Sequence, residues 1–314
     1  MPKTFQALDF PAARSHRTTV RNPDAVMTEP DPVAAWRCKL VVDTDDPFYF
    51  DHPLDHVPGI MLITALLGLV RGIARRTPVR GPAASADAGE QGWTRTSLWF
   101  PRFCELDHDT ELHACPSIRT ANWTVIATQP FGPVCLGTVQ HLDADPFAHR
   151  KQVPGYEQAP SLRAIPGRLV HRARPENILL GDVRQESSGP VRAAVLQPGS
   201  DDHLFAVRGG AARTAEELIE AARQATVMLW QYAHGWSADV KLTLNSVSAE
   251  LPISIDRRIP LEVRWWPKPA NGNKARTSFE LVSRADRPEL VGLITITSQA
   301  WSDSEWKRLR SGRK

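Results

Sequence analysis

PFYFDHPLDHVPGIMLITALLGLVR, Pro47 to Arg71, decides how the rest of the chain is read. Three aromatic residues (Phe48, Tyr49, Phe50) run into a proline-punctuated loop carrying two Asp-His pairs, Asp51-His52 and Asp55-His56, and then into an apolar segment. Pro58 suits a first helical position, because its fixed φ matches the helix and its missing N–H would have no partner there. From Ile60 to Val70 the apolar residues leave no polar stripe, which predicts a helix enclosed on all sides. The apolar run from Val57 to Val70 is shorter than the roughly 20 residues a bilayer requires, so the helix is expected inside a protein core with a sheet curled around it.

With 314 residues, 42% of them hydrophobic, the chain has room for two ordinary domains or one fused double domain. The net charge of +3, without a basic stripe interleaved with aromatics, argues against a nucleic-acid partner and for small or protein-borne ligands. MPKTFQALDFPAAR at the N-terminus lacks the apolar run of a signal peptide, and no segment is long enough to span a membrane, so a cytoplasmic location is expected. Cys38, Cys104, Cys115 and Cys135 show no C-x-x-C spacing, and reduced thiols are expected in place of zinc sites or disulfides.

Along the chain, Trp36 to Val42 alternates as a strand before the loop and helix. Arg76 to Gly92, RTPVRGPAASADAGEQG, has the composition of a mobile surface loop. Strand-like segments follow over 93–103, 111–114 and 122–140, the last turning at Phe131-Gly132-Pro133. The polar segment His141 to Arg168 is interrupted by Pro146, Pro154, Pro160 and Pro166 and reads as a linker. A second unit opens with LVHRARPENILLGD and reaches a helix over about Ala215 to His234, where Thr214 and Glu217 make a T-x-x-E capping box. Four strand-like segments close it, with an Asn271-Gly272 turn signal between the second and third.

The two units repeat one order of elements. His16-Arg17 and His171-Arg172 are 155 residues apart, as are Gly137 and Gly292. The expected architecture is therefore α+β, a double hotdog: two units in one chain, each a central helix wrapped by a curled antiparallel sheet. The units are expected over 1–140 and 169–302, with a linker over 141–168 and a basic C-terminal tail over 303–314.

FDHPLDHVPGIML (Phe50 to Leu62) resembles the signature loop of the A-factor synthase family, double-hotdog enzymes of γ-butyrolactone and butenolide signal biosynthesis. LVHRARPENILL (Leu169 to Leu180) and IEAARQA (Ile219 to Ala225) resemble its two other recurrent stretches, so the likeness covers most of both halves. Two departures stand out. The D-H-P-x-D-H-V-P-G half comes first here, the reverse of the family's order, and the first helix has Thr64 and Leu67 where the family's E-x-x-R-Q has Glu and Arg. A looser likeness is to hotdog dehydratases, in which a loop reading H-F-P precedes P-G and a helix E-A-x-x-Q, and the loop of one unit faces the helix of its partner. Together these imply one composite site, joining the first unit's loop to the second unit's helix.

The residues themselves leave alternatives open. Asp51, His52, Asp55 and His56 read either as a polar constellation at the mouth of an acyl tunnel or as a structural loop whose carboxylates cap the helix. A metal site is a third reading, against which Pro53 and Pro58 prevent a helical i, i+4 display of ligands. Glu220, Arg223 and Gln224 share one helix face by spacing, but Glu216, Glu217, Gln231 and His234 share it too, as in an amphipathic helix with a solvated side. His171-Arg172 reads as a strand-edge pair on the surface or as a phosphate contact, and the basic tail as frayed chain or as a docking patch for an acidic carrier.

What the family resemblance implies is an acyltransferase that moves a β-ketoacyl group from acyl carrier protein or acyl-CoA to a hydroxyl of dihydroxyacetone phosphate, with no cofactor and no metal. It would work as a monomeric pseudo-dimer, with no nucleic acid and no membrane involved. Glu220, Arg223, His52 and Asp51 would form the catalytic set, with Glu220 or His52 as base and Arg223 facing phosphate or oxyanion; Asp55, His56, Gln224 and Gly59 would bind substrate. The alternatives are a hotdog dehydratase or thioesterase acting on carrier-bound acyl chains, or a non-catalytic acyl-binding subunit.

Overall fold

The computed structural model describes residues 17–20, 33–76, 92–117, 122–149, 161–185, 189–237, 240–268, 270–284 and 287–311. Two helices and their strands repeat in the same order. The first unit contains β1 (Arg17–Val20), β2 (Val33–Lys39), α1 (Gly59–Arg76), β3 (Trp93–Trp99), β4 (Glu111–Pro116), β5 (Asn122–Gln129) and β6 (Gly132–Leu142). The second contains β7 (Arg184–Gln185), β8 (Val191–Val195), a short α2 (Leu204–Gly209), β9 (Ala212–Thr214), α3 (Ala215–Tyr232), β10 (Lys241–Pro252), β11 (Ser254–Asp256), β12 (Leu261–Trp265), β13 (Lys274–Ser283) and β14 (Glu289–Trp301). A last helix, α4 (Asp303–Ser311), follows.

Twelve strands form one antiparallel sheet in the order β1-β2-β4-β5-β6-β3-β10-β14-β13-β12-β8-β7. Outward from the central β3–β10 pair the order is β6, β5, β4, β2 on one side and β14, β13, β12, β8 on the other, so each unit uses its strands in the same sequence. This is the double hotdog. In the central pair Arg95 lies opposite Glu250, 155 residues away, and their side chains meet at 2.7 Å. That separation equals the offset in the sequence repeat, which places the pseudo-twofold axis at this pair. Gly137 on β6 lies opposite Leu98 of β3, and Gly292 on β14 lies opposite Leu281 of β13 with the Leu251 side chain of β10 close by. A Cβ on Gly137 would overlap the Ser97 carbonyl oxygen, which is why no larger residue fits there.

The helices are buried as their sequences require. Ile60, Leu62, Ile63, Leu66, Leu67 and Val70 of α1 are all under 5% exposed, packed inside the curl of β4, β5 and β6. Pro58 itself sits just ahead of the helix, its carbonyl accepting from Met61 N. α3 differs from its expectation: it has no solvated side over its first three turns, since Glu216, Glu217, Glu220 and Gln224 are all at most 1% exposed. Thr214 does cap it, accepting from Glu217 N, but the Glu217 carboxylate turns away from a reciprocal capping bond to meet Arg213 at 2.7 Å and Arg257 at 2.8 Å.

Two further expectations need revision. The segment 303–311, read as a basic tail, is helix α4 docked on the first unit. LVHRARPENILL forms two 3₁₀ turns, Gly167–Leu169 and Pro175–Asn177, and Arg172 between them is 5% exposed, so the surface-pair reading of His171-Arg172 does not hold. The short helix α2 is capped by His203. The surface loop over 76–92 and His16 of the repeat fall almost wholly outside the described residues.

Candidate functional site

Glu220, in the middle of α3, is 0% exposed and saturated with donors. Its Oε1 accepts from Arg172 Nη2 at 2.6 Å, Arg223 Nη2 at 2.8 Å and Gln224 Nε2 at 2.9 Å, and its Oε2 accepts from Arg223 Nε at 2.6 Å. Burial alone pushes this carboxyl up, but the charges and hydrogen bonds of Arg172 and Arg223 outweigh it and hold it at about 2. Such a carboxylate is a fixed counter-ion with little capacity to accept a proton near neutrality.

Arg172 carries the contact across the units. It follows His171, whose φ of 52° turns the chain inward, and its backbone N–H closes a turn onto Gly167 O at 3.0 Å. From there Arg172 Nη1 donates to the Phe48 carbonyl at 2.6 Å and lies 3.5 Å from Asp51 Oδ1, while the guanidinium stacks 4.5 Å above the Phe48 ring. Asp51 is held in turn: its Oδ2 accepts from Ala173 N at 3.2 Å and Asn177 Nδ2 at 3.3 Å, and its Oδ1 meets His52 Nδ1 at 2.7 Å. Burial raises the Asp51 carboxyl, and His52, Arg172 and Asn177 together bring it below its ordinary value. Gln224 closes the frame, accepting from Leu179 N at 2.9 Å and donating to Asn177 O at 2.8 Å.

The result is a row that passes through the core between two partly exposed ends: His52, Asp51, Arg172, Glu220, Arg223. His52 keeps 36% of its side chain exposed and Arg223 22%, so these two are where the row meets solvent. With Asp51 accepting from Nδ1–H, the His52 Nε2 is the free acceptor of a His–Asp dyad. Asn177 is the member that sequence reasoning missed, and Arg172 one that it weighed as a phosphate contact but left outside the catalytic and substrate-binding sets. Both lie in LVHRARPENILL, and the only signal for them was that stretch's family resemblance.

Asp55, His56 and Gly59 are placed elsewhere. His56 Nδ1 meets Asp55 Oδ1 at 2.7 Å, and Asp55 Oδ2 lies 3.2 Å from Arg310 of α4, which also pairs with Glu105 at 2.7 Å. His56, with burial opposing it and Arg310 assisting, draws the Asp55 carboxyl down to about 2. His56 packs against Phe103 and Trp306, and a cavity of about 170 Å³ beneath α4 is lined by His56, Gly59, Leu62, Leu244, Trp301 and Leu309. At the equivalent positions on α1, the Thr64 hydroxyl donates to Ile60 O at 2.7 Å and Leu67 is 4% exposed, so neither offers a charge. Among the described residues no three His, Cys, Asp or Glu side chains gather as a metal site.

Fold and site thus define a double-hotdog protein whose two units share one ion-paired cluster beside a His–Asp dyad. Residues 156–291, the greater part of the second unit, match the A-factor biosynthesis hotdog domain family. A 99-residue stretch is 44% identical to the 2-oxo-3-(phosphooxy)propyl 3-oxoalkanoate synthase of Streptomyces coelicolor; it spans 31% of this chain and only 26% of that relative. Among solved structures, the dehydratase domain from the CurJ module of curacin polyketide synthase superposes with a TM-score of 0.56 at 13% identity, covering 86% of this chain and 92% of its own. The tesB protein MAP1729c of Mycobacterium avium subs paratuberculosis reaches 0.52 at 12% identity, with 85% and 93% covered. At such identities the likeness is one of fold.

Proposed function

We propose that the protein is an acyltransferase that moves a β-ketoacyl group from a carrier thioester to a hydroxyl of a phosphate-bearing acceptor, dihydroxyacetone phosphate. The relative's name describes the product of such a step, a 3-oxoalkanoate ester of that triose phosphate. The observation that carries the reading is the cross-unit row, with a His–Asp dyad at one solvent-facing end and the partly exposed Arg223 at the other. In the reaction the acceptor hydroxyl loses its proton to His52 Nε2 as its oxygen attacks the thioester carbonyl. The tetrahedral intermediate then expels the thiolate, which takes the proton back from His52, leaving ester and thiol. Asp51 orients the imidazole, and Arg223 is the cation for the phosphate. Glu220 is the anion that keeps Arg172 and Arg223 in place, a different role from that of base.

Pure protein incubated with a β-ketoacyl carrier, with and without dihydroxyacetone phosphate, tests this. Ester formed only with the triose phosphate supports it. Thiol release or water loss without the acceptor would favour a thioesterase or dehydratase, and tight acyl binding with no turnover a non-catalytic subunit.

A further inference from the structure

His203 is buried, 5% exposed, at the end of the second unit's own loop, and nothing in the row described above uses it. Its Nδ1 accepts from Phe205 N–H at 3.2 Å as the cap of α2, which fixes the ring proton on Nε2. That Nε2 has no hydrogen-bond partner among the described residues. Arg172 is in the same position at one atom: Nη1 and Nη2 are committed to Phe48 O and Glu220, and its buried Nε has no partner among the described residues. Both groups flank one ring, since the His203 imidazole lies 5.1 Å and the Arg172 guanidinium 4.5 Å from the centre of Phe48. Buried N–H groups are rarely left without an acceptor, and these two belong to side chains packed on one ring beside the candidate active site.

We propose that His203 Nε2–H and Arg172 Nε–H form a donor pair for the oxygens of a phosphate monoester, making His203 a phosphate-binding residue of the cross-unit site. The inference rests on the acceptor reading above and deepens it by naming the group that recognises the acceptor's phosphate. His203 supplies a neutral donor: burial and the Arg172 charge, against Glu220, hold its pKa at about 4.

The two nitrogens of His203 can be tested separately. His203→Asn keeps a short acceptor for Phe205 N–H but removes the distal donor, whereas His203→Gln reaches out to restore a donor near the Nε2 position. Binding of inorganic phosphate, dihydroxyacetone phosphate and dihydroxyacetone to the full chain is measured by calorimetry, which needs no turnover. We expect the wild type to bind dihydroxyacetone phosphate and phosphate but not dihydroxyacetone. His203→Asn should weaken both phosphate ligands about tenfold or more, the loss of one hydrogen bond, and His203→Gln should recover most of it. The KM for the triose phosphate should rise in parallel while kcat changes less than about threefold. Phosphate binding that depends on His203 without acyl transfer would leave the donor pair standing and sink the acyltransferase reading. Acyl transfer with an unchanged KM in His203→Asn, equal behaviour of the Asn and Gln variants, or a wild type that does not bind phosphate at millimolar concentration would each overturn the donor pair.

Discussion

At the scale of single residues, Glu220 and His52 separate structure from chemistry. Glu220→Gln keeps the size but strips the charge from the carboxylate that Arg172 Nη2 and Arg223 both meet, leaving Asp51, 3.5 Å from Arg172, as the remaining carboxylate beside the two guanidinium groups. Breaking a buried pair this way costs about 3–5 kcal/mol, so the urea midpoint should fall sharply and activity should fall with it. His52→Ala removes a side chain that is 36% exposed and makes one bond, so stability should change by less than about 1 kcal/mol while turnover drops about 100-fold or more. A His52→Ala variant with near wild-type turnover would exclude His52 as the base. The reading of Glu220 was incomplete in the sequence for a physical reason. Spacing within α3 places polar residues on one side, but whether that side meets water or buried arginines is decided by Arg172, 48 residues away. Periodicity carries no information about such a partner.

The same residues set a pH dependence. His203 titrates at about 4 in the folded chain and near its ordinary 6.5 when unfolded. Between those values the unfolded chain takes up a proton that the native one refuses, so this contribution is fully present above pH 6.5 and is lost as pH falls to 4. It amounts to about 3 kcal/mol. Glu220, also depressed, adds a second loss below its unfolded value of 4.5, extending to about 2. Urea midpoints measured from pH 7 to pH 4 should fall for the wild type and fall less for His203→Asn. Parallel curves for the two proteins would show that His203 is not the proton-linked group.

At the scale of elements, the glycines of α1 and β6 make opposite demands. A Cβ on Gly68, on the part of α1 facing away from the curl, meets nothing within 4 Å. Gly68→Ala should therefore raise stability by up to about 1 kcal/mol through better helix propensity. Gly137→Ala would drive a methyl group into the Ser97 carbonyl and separate β6 from β3, so loss of soluble protein or a large drop in Tm is expected. Thermal melts of the two variants compare them directly, and a Gly137→Ala protein as stable as wild type would contradict the close approach seen here. α1 was legible because a helix without a polar stripe can only be enclosed, and Gly137 because its partner Gly292 recurred at the same offset. α4 was not. A short basic segment does not say what it docks on, and its docking depends on Arg310 meeting Glu105, 205 residues earlier.

For the molecule as a whole, the duplication raises the question of how many sites function. Symmetry of the sheet is nearly complete, but the charges are not symmetric: Arg172, paired with Glu220 beside Arg223, meets the first unit's loop, while the matching turn of α1 presents Thr64 and Leu67. The polar pair that does join the two helices, Arg71 with Glu216, contains neither a histidine nor a second arginine. A pseudo-dimer that kept one cluster and filled the other with apolar side chains gains a more continuous core around α1, at the loss of one reaction centre. The double variant Thr64→Val, Leu67→Met changes volume little: Leu67→Met costs less than about 1.5 kcal/mol, and Thr64→Val gives up the hydroxyl's bond to Ile60 O, about 1 kcal/mol. It should therefore transfer acyl groups at close to the wild-type rate. Active-site titration should also give one equivalent of bound acyl chain per chain in both proteins. Two equivalents in the wild type, or loss of turnover in the α1 double variant with its fold intact, would mean that the second junction also works and that the asymmetry of charge is not an asymmetry of function.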